Sequence, residues 1–344
     1  MKRTKYIIVA FLSLIIFSCE DCECIDDGAN PVTNCDNGLF IMRSEGVSGA
    51  PTTFYLDSIS KPLSTPVVFE NITTNDQDET QFDQFTRPSN YDAFDAAINT
   101  YFIEFPLQQR LYKYDIATQS RQEFIVAGFY SAPVFSNSSL YTITIDNFGY
   151  ANNPANYSIE TINQNDGSLT TLASGSFSLQ SYFNWESMSS VADGNGTIYF
   201  ISGSNLIIFD TNTVMSQHIE LVPGFDFTNN NQIFYGLEMR NNGNLLAIRN
   251  RDNDMGEGVE LVEIDINNLT ENPTVVFDFM ANGIDPNSEY YATTYDACDD
   301  TYYLTSRSNE NFDLTNFYEI NLTLGSSQKV SFDTYLMGIE SKNN

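Results

Sequence analysis

Ile207-Ile208-Phe209-Asp210, followed by Thr211-Asn212-Thr213, decides the fold because the pattern is not alone in the chain. It is a short run of strand-favouring residues that ends on a side chain able to accept bonds from nearby backbone amides and start a turn. Phe54-Tyr55-Leu56-Asp57, Tyr112-Lys113-Tyr114-Asp115, Glu160-Thr161-Ile162-Asn163, Val262-Glu263-Ile264-Asp265 and Tyr318-Glu319-Ile320-Asn321 repeat it, and the final residues of the six copies are 58, 48, 47, 55 and 56 apart. That spacing is what four short antiparallel strands per repeat would occupy.

Each copy follows another strand: Leu39-Phe40-Ile41-Met42, Tyr101-Phe102-Ile103-Glu104, Leu140-Tyr141-Thr142-Ile143, Ile198-Tyr199-Phe200-Ile201, Leu245-Leu246-Ala247-Ile248 and Tyr302-Tyr303-Leu304-Thr305. Turns such as Asp193-Gly194-Asn195-Gly196 and Asn241-Asn242-Gly243 precede several of them and fit a tight hairpin from a still earlier strand. Aromatics open that earlier strand at Tyr91, Phe129-Tyr130, Tyr182-Phe183, Phe234-Tyr235, Tyr290-Tyr291 and Tyr335. Almost no stretch carries a helical period.

Three markers thus give six units, an all-β chain and a six-bladed β-propeller, against the alternatives of seven blades with one diverged copy or a β-sandwich array. The first unit lacks an inner strand, and the C-terminus supplies one without the rest of a blade. Tyr335-Leu336-Met337-Gly338-Ile339-Glu340 matches Tyr235-Gly236-Leu237-Glu238 in its Gly-Ile-Glu. The ring is therefore expected to close by pairing the two chain ends, which removes an exposed edge. The blade pattern resembles the loosely patterned TolB-like and NHL-like propellers. It departs from WD40 repeats, since Trp185 is the only tryptophan.

At the N-terminus Lys2, Arg3 and Lys5 precede an apolar run from Tyr6 to Phe17, shorter than the roughly 20 residues that span a bilayer. The run closes on Ile16-Phe17-Ser18-Cys19, which resembles the lipobox of bacterial lipoproteins. The resemblance implies cleavage of a signal peptide, residues 1–18, and lipidation of Cys19. Glu20, Asp21, Glu23, Asp26 and Asp27 then lie in a tether, residues 19–35, with Gly28, Asn30 and Pro31. The acidic segment is similar to the export signal of Bacteroidetes surface lipoproteins, which implies the outer membrane and its outer face, the periplasmic face being the alternative. Residues 36–344 form one domain.

Removing the three basic residues of the signal takes the formal charge from -30 to -33. Nucleic acid is excluded as a partner, because a phosphate backbone needs a basic footprint. Of five cysteines, Cys35 and Cys298 each sit just ahead of a strand in corresponding places, so a disulfide could join the two ends of the domain. Cys22 and Cys24 are too close to bridge each other.

Propellers commonly place their sites where the inner strands converge. Glu186, Glu238 and Glu340 fall on predicted inner strands and with Asp296 could form a carboxylate ring for Ca²⁺. Such a ring is similar to that of six-bladed calcium-dependent lactonases, whose mix of acid and amide ligands does not align here. A carboxylate pair would also suit glycoside hydrolysis. A Ser-His-Asp mechanism does not fit the lone His218, which reads as an outer-strand residue. Asp252-Asn253-Asp254 departs from a calcium loop at Met255-Gly256. Trp185, Tyr235 and Tyr291 would stand near a channel mouth, where rings stack on sugars or peptide side chains. The reading favours a membrane-anchored binding module for a glycan, peptide or envelope protein. A calcium-dependent hydrolase or lactonase is the alternative, and a structural subunit of an envelope complex the third.

Overall fold

The computed structural model describes residues 35, 38–45, 51–61, 70–72, 76–81, 92–105, 110–126, 130–145, 156–177, 188–223, 232–251, 258–284, 290–307 and 315–343. Six antiparallel sheets account for the strands. Blade I joins β25 (Tyr335–Ser341), β1 (Gly38–Glu45) and β2 (Pro51–Ser60), with β3 (Glu70–Asn71) and β4 (Asp76–Gln81) both paired to β2 at its outer edge. Blade II is β5 (Asp92–Asp95), β6 (Thr100–Phe105), β7 (Arg110–Asp115) and β8 (Ser120–Ile125). Blade III is β9 (Tyr130–Ser136), β10 (Ser139–Ile145), β11 (Asn156–Ile162) and β12 (Leu169–Ser176). Blade IV is β13 (Ser189–Ala192), β14 (Thr197–Ser202), β15 (Asn205–Asp210) and β16 (Met215–Glu220). Blade V is β17 (Ile233–Met239), β18 (Leu245–Asn250), β19 (Val259–Ile264) and β20 (Thr274–Asp278). Blade VI is β21 (Tyr290–Asp296), β22 (Thr301–Arg307), β23 (Thr315–Asn321) and β24 (Ser326–Phe332). The chain is a six-bladed β-propeller. Among the described residues no helix is long and apolar enough to cross a membrane.

The ring closes as the Gly-Ile-Glu match foretold. β25 pairs antiparallel with β1, Phe40 opposite Glu340 and Ile41 opposite Ile339. The last strand of the chain is thus the inner strand of the first blade.

Strand chemistry explains the packing. In β14, Ile198 and Phe200 point toward blade III, while Tyr199 and Ile201 point toward blade V. Both faces of a middle strand are buried, so such strands read as unbroken apolar runs and not as an alternation. Six apolar clusters result, one in each seam between blades. Each fully buried Leu, Ile or Phe in them contributes about 1.5–3 kcal/mol. Outer strands carry the opposite composition: β24 is mostly exposed along its length.

The turn residues behave as their chemistry requires. Asp115, Asn163, Asp210, Asp265 and Asn321 accept the backbone amides of Thr118, Asn165, Asn212, Asn267 and Leu324 at 2.8–3.0 Å, each opening the hairpin to an outer strand. Asp57 is the exception and corrects the sequence reading of blade I. β2 runs past it to Ser60, because Ile59 is still buried and pairs with Leu39 as Ile264 pairs with Leu245. Asp57 is instead a fully buried strand residue holding Arg43 Nε at 2.6 Å.

Candidate functional site

The inner strands of all six blades wall a channel cavity of about 180 Å³. Its lining comes mainly from the late part of each strand, near the tight turns to the second strands. β5 gives Asp92, Ala93 and Phe94; β9 gives Pro133, Val134 and Phe135; β13 gives Ser190, Val191 and Ala192. Glu238 and Met239 of β17, Tyr295 of β21 and Glu340 of β25 complete it.

Two of the four carboxylates singled out in the sequence therefore meet at the cavity. Glu238 is nearly buried and accepts Thr293 Oγ1 at 3.0 Å across the seam to blade VI. Glu340 is half-buried and lies 3.5 Å from Thr294 Oγ1. Glu186 and Trp185 lie outside the described residues.

Asp296 has a different office from the one its position in the sequence suggested. It closes the turn from β21 to β22 by accepting the amide of Cys298 at 2.9 Å, as Asp95 accepts that of Ala97 and Asp193 that of Asn195. Its other oxygen takes Lys61 Nζ, Ser341 Oγ at 2.9 Å and Asn343 Nδ2 at 3.0 Å. Among the described residues no group of three His, Cys, Asp or Glu side chains could hold a metal ion. Next to Asp296, Cys35 and Cys298 form a disulfide with Cα atoms 5.9 Å apart.

Tyr235 is 8% exposed and does not stand at a mouth. It packs with Leu246, Leu261, Tyr295 and Tyr302 in the seam between blades V and VI, because a ring at that register is needed as core. Tyr291 lies in β21, one residue before Ala292, where the pairing with β22 shifts. His218 is on outer strand β16, where its Nε2 meets Asn205 Oδ1 at 2.8 Å and its ring meets Phe177 edge-on. Burial holds its pKa below the usual histidine value.

The acid that sequence reasoning missed is Asp92. It is 3% exposed, its Oδ2 accepts the Tyr101 hydroxyl at 2.6 Å, and its Oδ1 accepts no hydrogen bond of normal geometry. Burial pushes its carboxyl up to about 7, against the opposing pull of the Tyr101 hydroxyl and of the Ile339 and Asp92 amides. The pair sits directly under the closing strand: a Cβ on Gly338 would fall on the Tyr101 hydroxyl and 2.6 Å from Asp92 Oδ2. Blades V and VI repeat the device, with Tyr302 donating to the Gly236 carbonyl at 2.6 Å. Gly236 has φ +62, a second reason for glycine there.

No family model and no curated protein matches the sequence. Solved structures match in fold. A chain of a nidogen/laminin complex aligns over 88% of this chain and 97% of its own, at 10% identity and a TM-score of 0.52. The calcium-binding protein regucalcin from Agrobacterium tumefaciens strain C58 aligns over 74% and 76%, at 10% identity and a TM-score of 0.43. An oligogalacturonate lyase in complex with manganese aligns over 86% and 85%, at 9% identity and a TM-score of 0.45. At 9–10% identity the likeness is one of propeller architecture alone.

Proposed function

We propose that the chain is a lipid-anchored, extracytoplasmic binding protein of the bacterial envelope whose ligand site is the channel cavity. The observation that carries the binding half is the cavity itself, bounded by all six blades and mixing acidic with apolar walls. At about 180 Å³ it falls below the roughly 300 Å³ of pockets that swallow drug-sized ligands. It suits one side chain or one small group of a larger partner.

Catalytic pairings find little support there. Ser190, the serine on the wall, donates to the Ala132 and Pro133 carbonyls, and His218 lies on an outer strand. With Asp296 committed to Lys61, a hydrolase or lactonase has no assembled metal site among the described residues. Anchoring rests on the lipobox resemblance at Cys19, and surface display on the acids that follow it.

Thermal unfolding of the full chain against amines, glycans, and calcium after chelation tests the site, since a ligand of the native state raises stability by mass action. A true channel ligand raises the Tm of the wild type and leaves Ala192→Trp, which fills the cavity, unmoved. Equal shifts in both proteins would place binding elsewhere, and a large calcium shift would favour the metal-dependent alternative. For the anchor, Cys19→Ser is expected to lose incorporation of labelled fatty acid. Retained label would contradict lipidation at Cys19.

A further inference from the structure

Several buried or half-buried acids of the turn and strand networks have a cation from this chain. Arg43 serves Asp57, Lys61 serves Asp296, Arg240 serves Glu263 and Asp300, and Arg249 with Arg251 serves Glu260. Buried charges are kept only when paired, because an ion taken out of water without a partner is costly. The cavity wall holds Asp92, Glu238 and Glu340 and no Lys, Arg or His, and on it Asp92 departs from the rule. Asp92 is the sharpest case, a buried acid on that wall with Oδ1 unpartnered.

We infer that the cavity takes one organic cation, an ammonium or guanidinium group such as a lysine or arginine side chain of a partner peptide, with Asp92 as its counter-charge. The inference rests on reading the cavity as the ligand site and adds the chemical class of the ligand. Size agrees, since a cavity of about 150 Å³ accommodates a benzene-sized molecule. The walls agree too. Phe94, Val134, Val191 and Met239 offer apolar surface to a methylene stem, whereas a calcium ion would want six to eight oxygens around it. Glu104 also lacks a partner, but it stands on β6 and is not part of this wall, and burial alone drives its carboxyl well up.

Binding would then be linked to protons. With its carboxyl near 7, Asp92 is largely protonated at pH 6 in the empty site, and an incoming cation favours the ionised form. The titratable groups facing it are Tyr101 from β6, Glu340 from β25 and, across the cavity, Glu238 from β17 and Tyr295 from β21; β9 brings only Pro133, Val134 and Phe135. None of them supplies a competing positive charge.

Calorimetry of the full chain with n-butylammonium and N-acetyl-lysine amide at pH 6 and pH 8, with n-butanol as the neutral isostere, tests this. The expected result is about tenfold tighter binding at pH 8, in proportion to the ionised fraction of Asp92. Asp92→Asn should weaken binding at pH 8 at least tenfold and abolish the pH dependence. Glu340→Gln should weaken it less and keep the dependence, and carries the test if Asp92→Asn does not fold. Equal affinity at both pH values with Asp92→Asn unchanged, or n-butanol binding as well as the amine, would overturn the inference. If a neutral ligand is displaced by Ala192→Trp while the amines do not bind, the inference fails and the channel reading stands. If no ligand responds to Ala192→Trp, both fail.

Discussion

Each of the two seams flanking β25 holds a buried aspartate beside that strand, and the chain treats the two differently. Between blades VI and I, Asp296 is fully buried and saturated by Lys61, Ser341, Asn343 and the Cys298 amide, with the Cys35–Cys298 disulfide alongside. Between blades I and II, Asp92 is nearly as buried but takes the Tyr101 hydroxyl on Oδ2 and no hydrogen bond of normal geometry on Oδ1. Saturation makes the first a fastening for the chain ends. The second is left wanting a charge, on the wall of a cavity that can admit one.

Removing one partner at each seam should separate the two roles. Lys61→Met leaves Asp296 buried without its cation and should cost about 3–5 kcal/mol in denaturant unfolding, the largest effect expected. A loss within a few tenths of a kcal/mol would mean the fastening is not where the ring is held. At the other seam the sign depends on pH. The folded state keeps a proton on Asp92 up to about 7, while the unfolded chain releases it near 3.8. The contribution to stability is therefore full below about pH 4, falls as pH rises to 7, and is flat above. Asp92→Asn should remove a slope worth roughly 3–4 kcal/mol across that window, read from unfolding at pH 4 and pH 8 relative to wild type. An unchanged slope would deny the perturbation. Replacing Cys35 and Cys298 with Ser should cost about 2–4 kcal/mol, because the unfolded chain is released from a long loop. Gly338→Ala forces a Cβ onto the Tyr101–Asp92 pair and should cost about 1–3 kcal/mol, with Tyr101→Phe in the same chain recovering part of it.

Turn chemistry and the pairing of chain ends were legible in the sequence because both are local or repeated. An acid or amide that ends a strand announces its own hairpin, and five of the six copies do so. Asp57 misled because a carboxylate inside a strand looks the same in sequence as one at its end; only Arg43, brought opposite by the β1–β2 register, distinguishes them. Asp296 could have been placed correctly, since Asp95-Ala96-Ala97 and Asp193-Gly194-Asn195 show the same inner-turn use of an acid. Asp92 was beyond reach. Its partner Tyr101 is close in sequence, but the glycine that covers them comes from the far end of the chain. Glu238 and Glu340 were found through the Gly-x-Glu repeat, and the structure sets both on the cavity wall.

The most direct test is a carboxyl ¹³C titration of Asp92 in the full chain, with and without n-butylammonium. The expected result is a midpoint near 7 in the free protein that moves down by about one unit or more when the cation is present. A midpoint near the ordinary aspartate value, or one that the cation leaves in place, would contradict it.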